Sequence, residues 1–137
     1  MGTQTINPVS VALAGVAITK TDTGGTTGSI IVAPTTAQSS LNFEDLFVVV
    51  ENYSTTASCV VTVKAGDGYS EVGIGNAPSV TIATATTVGA TIKVIGGKEL
   101  ESARFKDKNG CLNLDITTAA TCHVYAVMNP FTALNPK

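Results

Sequence analysis

Few residues in this chain are able to do chemistry, and their spacing decides how they read. His123 is the only histidine. It falls inside the run TCHVYAVM, on the opposite strand parity from Cys122 and Val124. A Ser–His–acid or Cys–His device needs a nucleophile beside the imidazole, and the G-x-S-x-G elbow that presents such a serine is missing. The pattern predicts a partly exposed strand histidine. Glu99 and Glu101 offer two carboxylates, but a glycosidase pair works against a bound sugar, and the usual aromatic platform is absent: the chain has no Trp and 5% aromatic residues. Gly66-Asp67-Gly68 and Gly73-Ile74-Gly75 have the glycine content of phosphate-cradling loops. Those loops need a following helix to present N–H groups, and strands are predicted to follow here. Asp67 and Glu71 are oxygen donors of the kind Ca²⁺ takes, without the D-x-D-x-D-G spacing of its loops. Residues 65–78 therefore read as a long contact-making loop.

Cys59, Cys111 and Cys122 are an odd number of thiols, with no pair at zinc-ligand spacing. Each sits among apolar neighbours, where a free thiol behaves as a small buried hydrophobe. Reduced structural thiols are expected, with one disulfide as the alternative. Asn52-Tyr53-Ser54 matches the glycosylation sequon; without a secretory signal it reads as coincidence. Neither a cofactor-binding nor a metal-binding set is predicted, and no enzymatic activity. The one dense charge group is Glu99, Glu101, Arg104 and Asp107. Arg104 can make a bidentate contact with a carboxylate of its own chain or of a neighbour, which at an interface sets register. Phe105, on the opposite strand face, reads as a core or interface anchor. Glu101, Arg104 and Phe105 are the candidate interface residues.

The elements that must position these residues are strands. Asn109-Gly110 lies between two short runs, 103–108 and 111–116, and both residues tolerate positive φ, so the pair predicts a tight primed hairpin turn. Leu112, Leu114 and Ile116 share one face of the second run. Residues 46–51 (LFVVVE) are apolar on both parities, which predicts a central strand. Residues 58–64 read as its partner strand, with Cys59, Val61 and Val63 on one side. Further strands are predicted at 9–18 (bent or bulged near Gly15), 29–33, 79–85 with Val80 and Ile82 inward, 88–95 with Ile92 and Val94 inward, and 121–128 with Cys122, Val124, Ala126 and Met128 on one parity. Residues 20–28 and 35–42 read as loops. Residues 1–7 read as a polar arm and 129–137 as an extended tail. A single helical turn at 100–103 is the only helix predicted. About eight short strands at regular spacing predict a single-domain, all-β sandwich. An eight-stranded antiparallel jelly roll fits best, and a Greek-key sandwich of another order is the alternative. The organisation is an arm with the first strands (1–45, assembly contacts), a β-sandwich core (46–128) and a C-terminal tail (129–137).

Composition narrows the function classes. Charged residues are 13% of the chain, about half the ordinary share, and hydrophobic residues 44%. No run approaches the ~18 apolar residues of a spanning helix, and no membrane partner is expected. Thr, Val and Ile favour the pleated surface of a sheet. From Met1 to Phe43 only Lys20 and Asp22 are charged. That stretch reads either as a Thr/Ser-rich hydrated surface or as one packed against another subunit, since interface cores are poor in charge. The net charge of −2, with no basic run and no stacking array, argues against nucleic acid. The N-terminus lacks the n-region and h-region of a secretory signal, which predicts cytosolic synthesis.

The run from Ile95 to Lys106 (IGGKELESARFK), followed by Asn109-Gly110, resembles a segment of small tailed-phage virion proteins, in which an I-G-x-x-E-x-x-R-F-like stretch precedes a turn and a short strand. The upstream LFVVVEN and VTVKAGDG are similar too, so the resemblance covers roughly residues 46–128. It implies a non-enzymatic structural role in the virion. The type it resembles is the capsid decoration (cement) protein: a small β-rich domain, often a homotrimer, that clamps major capsid subunits from the outside of the head. The implied partners are the major capsid protein and further copies of the chain. The competing reading is a receptor- or glycan-binding module of a phage fibre or bacterial surface protein.

Overall fold

The computed structural model describes residues 2–12, 14–22, 28–35, 41, 43–66, 79–86, 89–96, 105–118 and 122–129. Within them the chain forms ten strands: β1 (Gly2–Ile6), β2 (Val9–Ser10), β3 (Thr21–Asp22), β4 (Gly28–Val32), β5 (Leu46–Asn52), β6 (Cys59–Val63), β7 (Val80–Ile82), β8 (Thr91–Gly96), β9 (Leu112–Thr118) and β10 (Cys122–Met128). A short 3-10 turn, Phe43–Asp45, leads into β5. The fold is all-β.

The strands form two sheets. One has the order β1-β4-β9-β6-β7; the other has the order β2-β10-β5-β8, with β3 also pairing to β10. Among themselves strands β3 to β10 pair only antiparallel, whereas β1 lies parallel on β4 and β2 parallel on β10. The expectation of eight antiparallel strands is corrected to ten in mixed sheets. The stretch 1–7, read as a polar arm, contributes β1, and the first residues of the strand expected over 9–18 contribute β2.

Alternation explains the core. Leu112, Leu114 and Ile116 of β9, and Cys59, Val61 and Val63 of β6, turn inward from the first sheet. Val48 and Val50 of β5, and Cys122, Val124, Ala126 and Met128 of β10, turn inward from the second. These side chains join in one hydrophobic cluster that both sheets share, the normal product of two half-buried sheets. β5 is central in its sheet, between β10 and β8, as its two apolar parities predict.

Several local readings are corrected. The strand expected over 9–18 stops at Ser10. The chain turns at Ala12, whose carbonyl accepts the Gly15 N–H at 2.9 Å, with Gly15 at φ +89°. The segments at 46–52 and 59–63 are not partners, because they lie in different sheets. Their connection crosses the core edge, with Ser54 Oγ accepting the Thr56 and Ala57 N–H groups. Ile92 and Val94 point outward, 53% and 60% exposed. β8 is apolar on both parities, and its register sets Ile95 opposite the inward Val48, which sends Ile92 and Val94 to the other face.

The hairpin expected at Asn109-Gly110 is corrected: of its two runs only the second is a strand among the described residues, the first contributing a single bridge, and the turn is one residue longer. Lys106 bridges to Leu112, and the Asp107 N–H reaches the Cys111 carbonyl at 3.0 Å, which leaves three residues in the loop. Gly110 donates to the Asp107 carbonyl and sits at φ +76°, the geometry of a three-residue loop closed by a left-handed glycine. The Asp107 carboxylate holds this turn by accepting from the Asn109 and Cys111 N–H groups and from Asn113 Nδ2. Those bonds hold its carboxyl below the usual range, against the opposing effect of burial.

Candidate functional site

Among the described residues, the densest polar arrangement lies on the outer face of the second sheet. Antiparallel registers bring Asp22 of β3 opposite His123 of β10, and His123 opposite Glu51 of β5. Glu51 closes the run LFVVVE. The residue is only 4% exposed, and its carboxylate is surrounded by donors. Lys20 Nζ donates to Oε1 at 2.8 Å, the Tyr53 hydroxyl to the same oxygen at 2.6 Å, and the Tyr125 hydroxyl to Oε2 at 3.0 Å. Lys20 also reaches the Tyr53 hydroxyl at 3.4 Å and stands 5.7 Å from the centre of the Tyr125 ring.

The electrostatics follow from these contacts. Burial opposes ionisation of Glu51, but hydrogen bonds from Lys20, Tyr53 and Tyr125 outweigh it and hold its carboxyl below the usual range. Glu51 in turn holds the Lys20 ammonium above its usual value, with Tyr53 contributing. Burial, followed by the hydrogen bond to Glu51, pushes the Tyr125 phenol up. A carboxylate occupied by three donors is a poor general base, since its proton affinity is lowered and its lone pairs are in use. The arrangement acts as an anchor: it fastens the stretch before β3 to the sheet.

Beside it, the His123 ring meets the Tyr53 ring edge-on at 4.8 Å. Its Nε2 is 3.8 Å from Asp22 Oδ2, and its Nδ1 is enclosed with no hydrogen-bond partner among the described residues. Cys122 and Val124 on either side point into the core. The histidine is half-buried on its strand, as its parity predicts.

A second polar group lies on the outer face of the first sheet. Asp115 of β9 accepts from Ser29 Oγ at 3.0 Å and faces Lys64 Nζ at 3.5 Å. A cavity of about 310 Å³ opens there, lined by Ser29, Lys64, Asp107, Asn113 and Asp115. Among the described residues no three His, Cys, Asp or Glu side chains converge as metal ligands.

Glu101 and Arg104, along with Glu99, Asp67, Glu71 and Gly73-Ile74-Gly75, lie outside the described residues. Phe105 is 2% exposed and belongs to the core cluster, so it takes the core alternative of its two readings. Gly66 approaches the backbone of Lys106 so closely that a Cβ would collide with the Lys106 carbonyl oxygen. Its lack of a side chain serves packing. The sequon nitrogen is also in use: Asn52 is fully buried, and its Nδ2 donates to the carbonyls of Ala57, Ala83 and Ile82 at 2.9, 3.0 and 3.3 Å. Cys59, Cys111 and Cys122 are buried and not joined in disulfides.

Sequence reasoning missed the Lys20–Glu51 anchor, whose partners are 31 residues apart. One signal was present. A carboxylate ending a run that is apolar on both parities is bound for burial, and a buried charge needs donors. Comparison with protein-family models, with curated proteins and with solved structures gave no match.

Proposed function

We propose that this chain is a non-enzymatic structural protein that works by contact, and specifically a capsid decoration (cement) protein on the outside of a phage head. The observation that carries the reading is the outer surface of β8. Ile92 and Val94 project from the last strand of their sheet among the described residues, more than half exposed. An edge strand with open branched apolar side chains is a liability unless a partner covers it. The resemblance of residues 46–128 to small virion proteins supplies the partners: the major capsid protein, and further copies of the chain in a homotrimer.

The finer fold reading belongs here. The antiparallel orders β3-β10-β5-β8 and β4-β9-β6-β7 support a jelly roll of eight strands, in which the chain changes sheet at every step from β3 to β10 except between β6 and β7. The N-terminal strands are additions to its edges.

Mixing the purified chain with undecorated phage heads, assembled from the major capsid protein of the genome that carries this sequence, tests the function. Saturable binding that raises the melting temperature of the heads, and its loss in Ile92→Lys, are expected. Absence of binding at micromolar concentration overturns the reading.

One observation favours a glycan- or receptor-binding module instead. Tyr53 is 44% exposed, and its ring sits among Lys20, Glu51 and His123, an aromatic surface with polar groups at its rim. Glycan-array binding abolished by Tyr53→Ala, with no affinity for heads, would favour this module.

A further inference from the structure

The N-terminal arm joins both sheets largely through its backbone. β1 lies in parallel register on β4 from Gly2↔Gly28 to Ile6↔Val32, and β2 lies on β10 at Val9↔Val127 and Ser10↔Met128. The arm continues through the Ala33 N–H to the Ile6 carbonyl at 3.0 Å, Asn7 Nδ2 to the Ala33 carbonyl at 2.9 Å, and the Val11 N–H to the Met128 carbonyl at 3.0 Å. Ile6 and Pro8 are its buried side chains, while Thr3, Thr5 and Asn7 are exposed. Behind it a cavity of about 260 Å³ remains, lined by Ile6, Val9, Ala17, Thr21 and Tyr125. The arm is thus held mostly by backbone bonds that any other copy of the chain offers in identical form.

The segment after the arm sets local preference against structure. Residues 11–18 read VALAGVAI, and the sequence predicts a strand through residue 18. The structure gives none there: the described residues of 11–19 are exposed, apart from the half-exposed Ile18, and Val11 and Val16 lie open to solvent. The fold-back depends on Gly15, whose φ of +89° side-chain-bearing residues rarely adopt. At the far end Lys20 is fastened to Glu51, and β3 is paired to β10. A strand-forming, apolar linker between a detachable arm and a fixed anchor is a conflict between levels that assembly can relieve.

We propose that this chain exchanges its N-terminal arm with a second copy of itself. Residues 11–19 straighten, and Gly2–Ser10 pairs with β4 and β10 of the neighbour in the same parallel register. The occupant is fixed by the seat, which already holds this sequence. Nine extended residues reach about 30 Å, enough to cross to an adjoining molecule. Straightened linkers from two copies run side by side and cover Val11 and Val16. The exchange closes on itself, reciprocally between two copies or head-to-tail around the three of a homotrimer. This inference concerns self-assembly and stands or falls apart from the capsid reading.

Thr5 and Ile31 are register partners on β1 and β4. Chains carrying Thr5→Cys alone and Ile31→Cys alone are mixed, warmed near the unfolding midpoint, cooled and oxidised. Exchange gives a disulfide-linked heterodimer on a non-reducing gel, with residue 5 of one chain joined to residue 31 of the other by peptide mass mapping. The pair Thr3→Cys and Ser29→Cys repeats the test at a second register position and guards against a variant that fails to fold. Gly15→Val disfavours the fold-back and raises the exchanged fraction about tenfold, read by sedimentation. The proposal is overturned if both mixtures stay unlinked while the double variant Thr5→Cys/Ile31→Cys closes within one chain. Oligomers whose arms remain on their own bodies overturn it equally.

Discussion

Lys20 Nζ lies 2.8 Å from Oε1 of Glu51, so a residue from an exposed, irregular stretch is pinned to a carboxylate buried in the middle of a sheet. The pairing is asymmetric. Lys20 keeps much of its side chain in water, while Glu51 has given up nearly all of its hydration and depends on its three donors. Glu51→Gln keeps the shape and removes the charge, leaving the two tyrosine hydroxyls and Lys20 with a weaker acceptor. A loss of about 1–3 kcal/mol is expected. Lys20→Met is expected to destabilise less than Glu51→Gln, since two donors to the carboxylate remain. Urea unfolding at pH 7 checks both, as a lowered midpoint with unchanged slope.

The same groups set the pH range of stability. Glu51 and Asp107 both ionise more readily in the folded chain than in the unfolded one. Their contribution is complete above the unfolded carboxylate values of about 3.9–4.3 and disappears as pH falls through the lower folded values. At the alkaline end Lys20 and Tyr125 hold their protons more tightly when folded. Their contribution is complete below about pH 10 and is lost as pH rises through the folded values. A urea midpoint followed from pH 2 to pH 11 should show a plateau with both flanks falling. Glu51→Gln should flatten the acid flank.

The 107–111 turn separates two kinds of glycine. A Cβ at Gly110 meets open space, so Gly110→Ala costs only the left-handed backbone, about 1–2 kcal/mol. At Gly66 a Cβ meets backbone, which cannot move aside as a flexible side chain can. Gly66→Ala is therefore expected to be the more damaging of the two. Asp107→Ala removes the acceptor of three hydrogen bonds and should cost about 1–3 kcal/mol. Thermal unfolding of the three variants ranks them.

Ile92 and Val94 distinguish folding from assembly. Both are open in the isolated chain, so Ile92→Lys and Val94→Lys should each leave stability within about 0.5 kcal/mol of the parent. Under the proposed cement role, binding to heads should fall sharply in both. Equal loss of stability and binding would mean that these side chains support the sheet itself.

Much of the architecture was legible in local pattern. The all-β class, the inward parity of β6, β9 and β10 and the central position of β5 follow from alternation and strand length. What was not legible depends on long-range pairing. The strands at 46–52 and 59–63 look like a hairpin because they are adjacent and apolar. Nothing local says that the connection changes sheet; Asn52, with its amide spent on three carbonyls, marks that crossing only once the third dimension is known. The facing of β8 failed because Ile92, Val94 and Ile95 put apolar groups on both parities, and only its register against β5 chooses between them. Of the candidate interface residues, Phe105 was read with both of its possible roles and fills the core one.

The three enclosed thiols give the molecule an internal clock. Cys59 and Cys122 belong to different sheets and are sealed from solvent, whereas Cys111 sits at the end of a turn, with burial foremost in pushing its thiol up. A chromogenic disulfide reagent added to the native protein should meet Cys111 first, through fraying of the turn, and the other two only at the rate of whole-molecule opening. The ratio of those two rates would measure how much more firmly the paired sheets hold than the hairpin tip, with no label added.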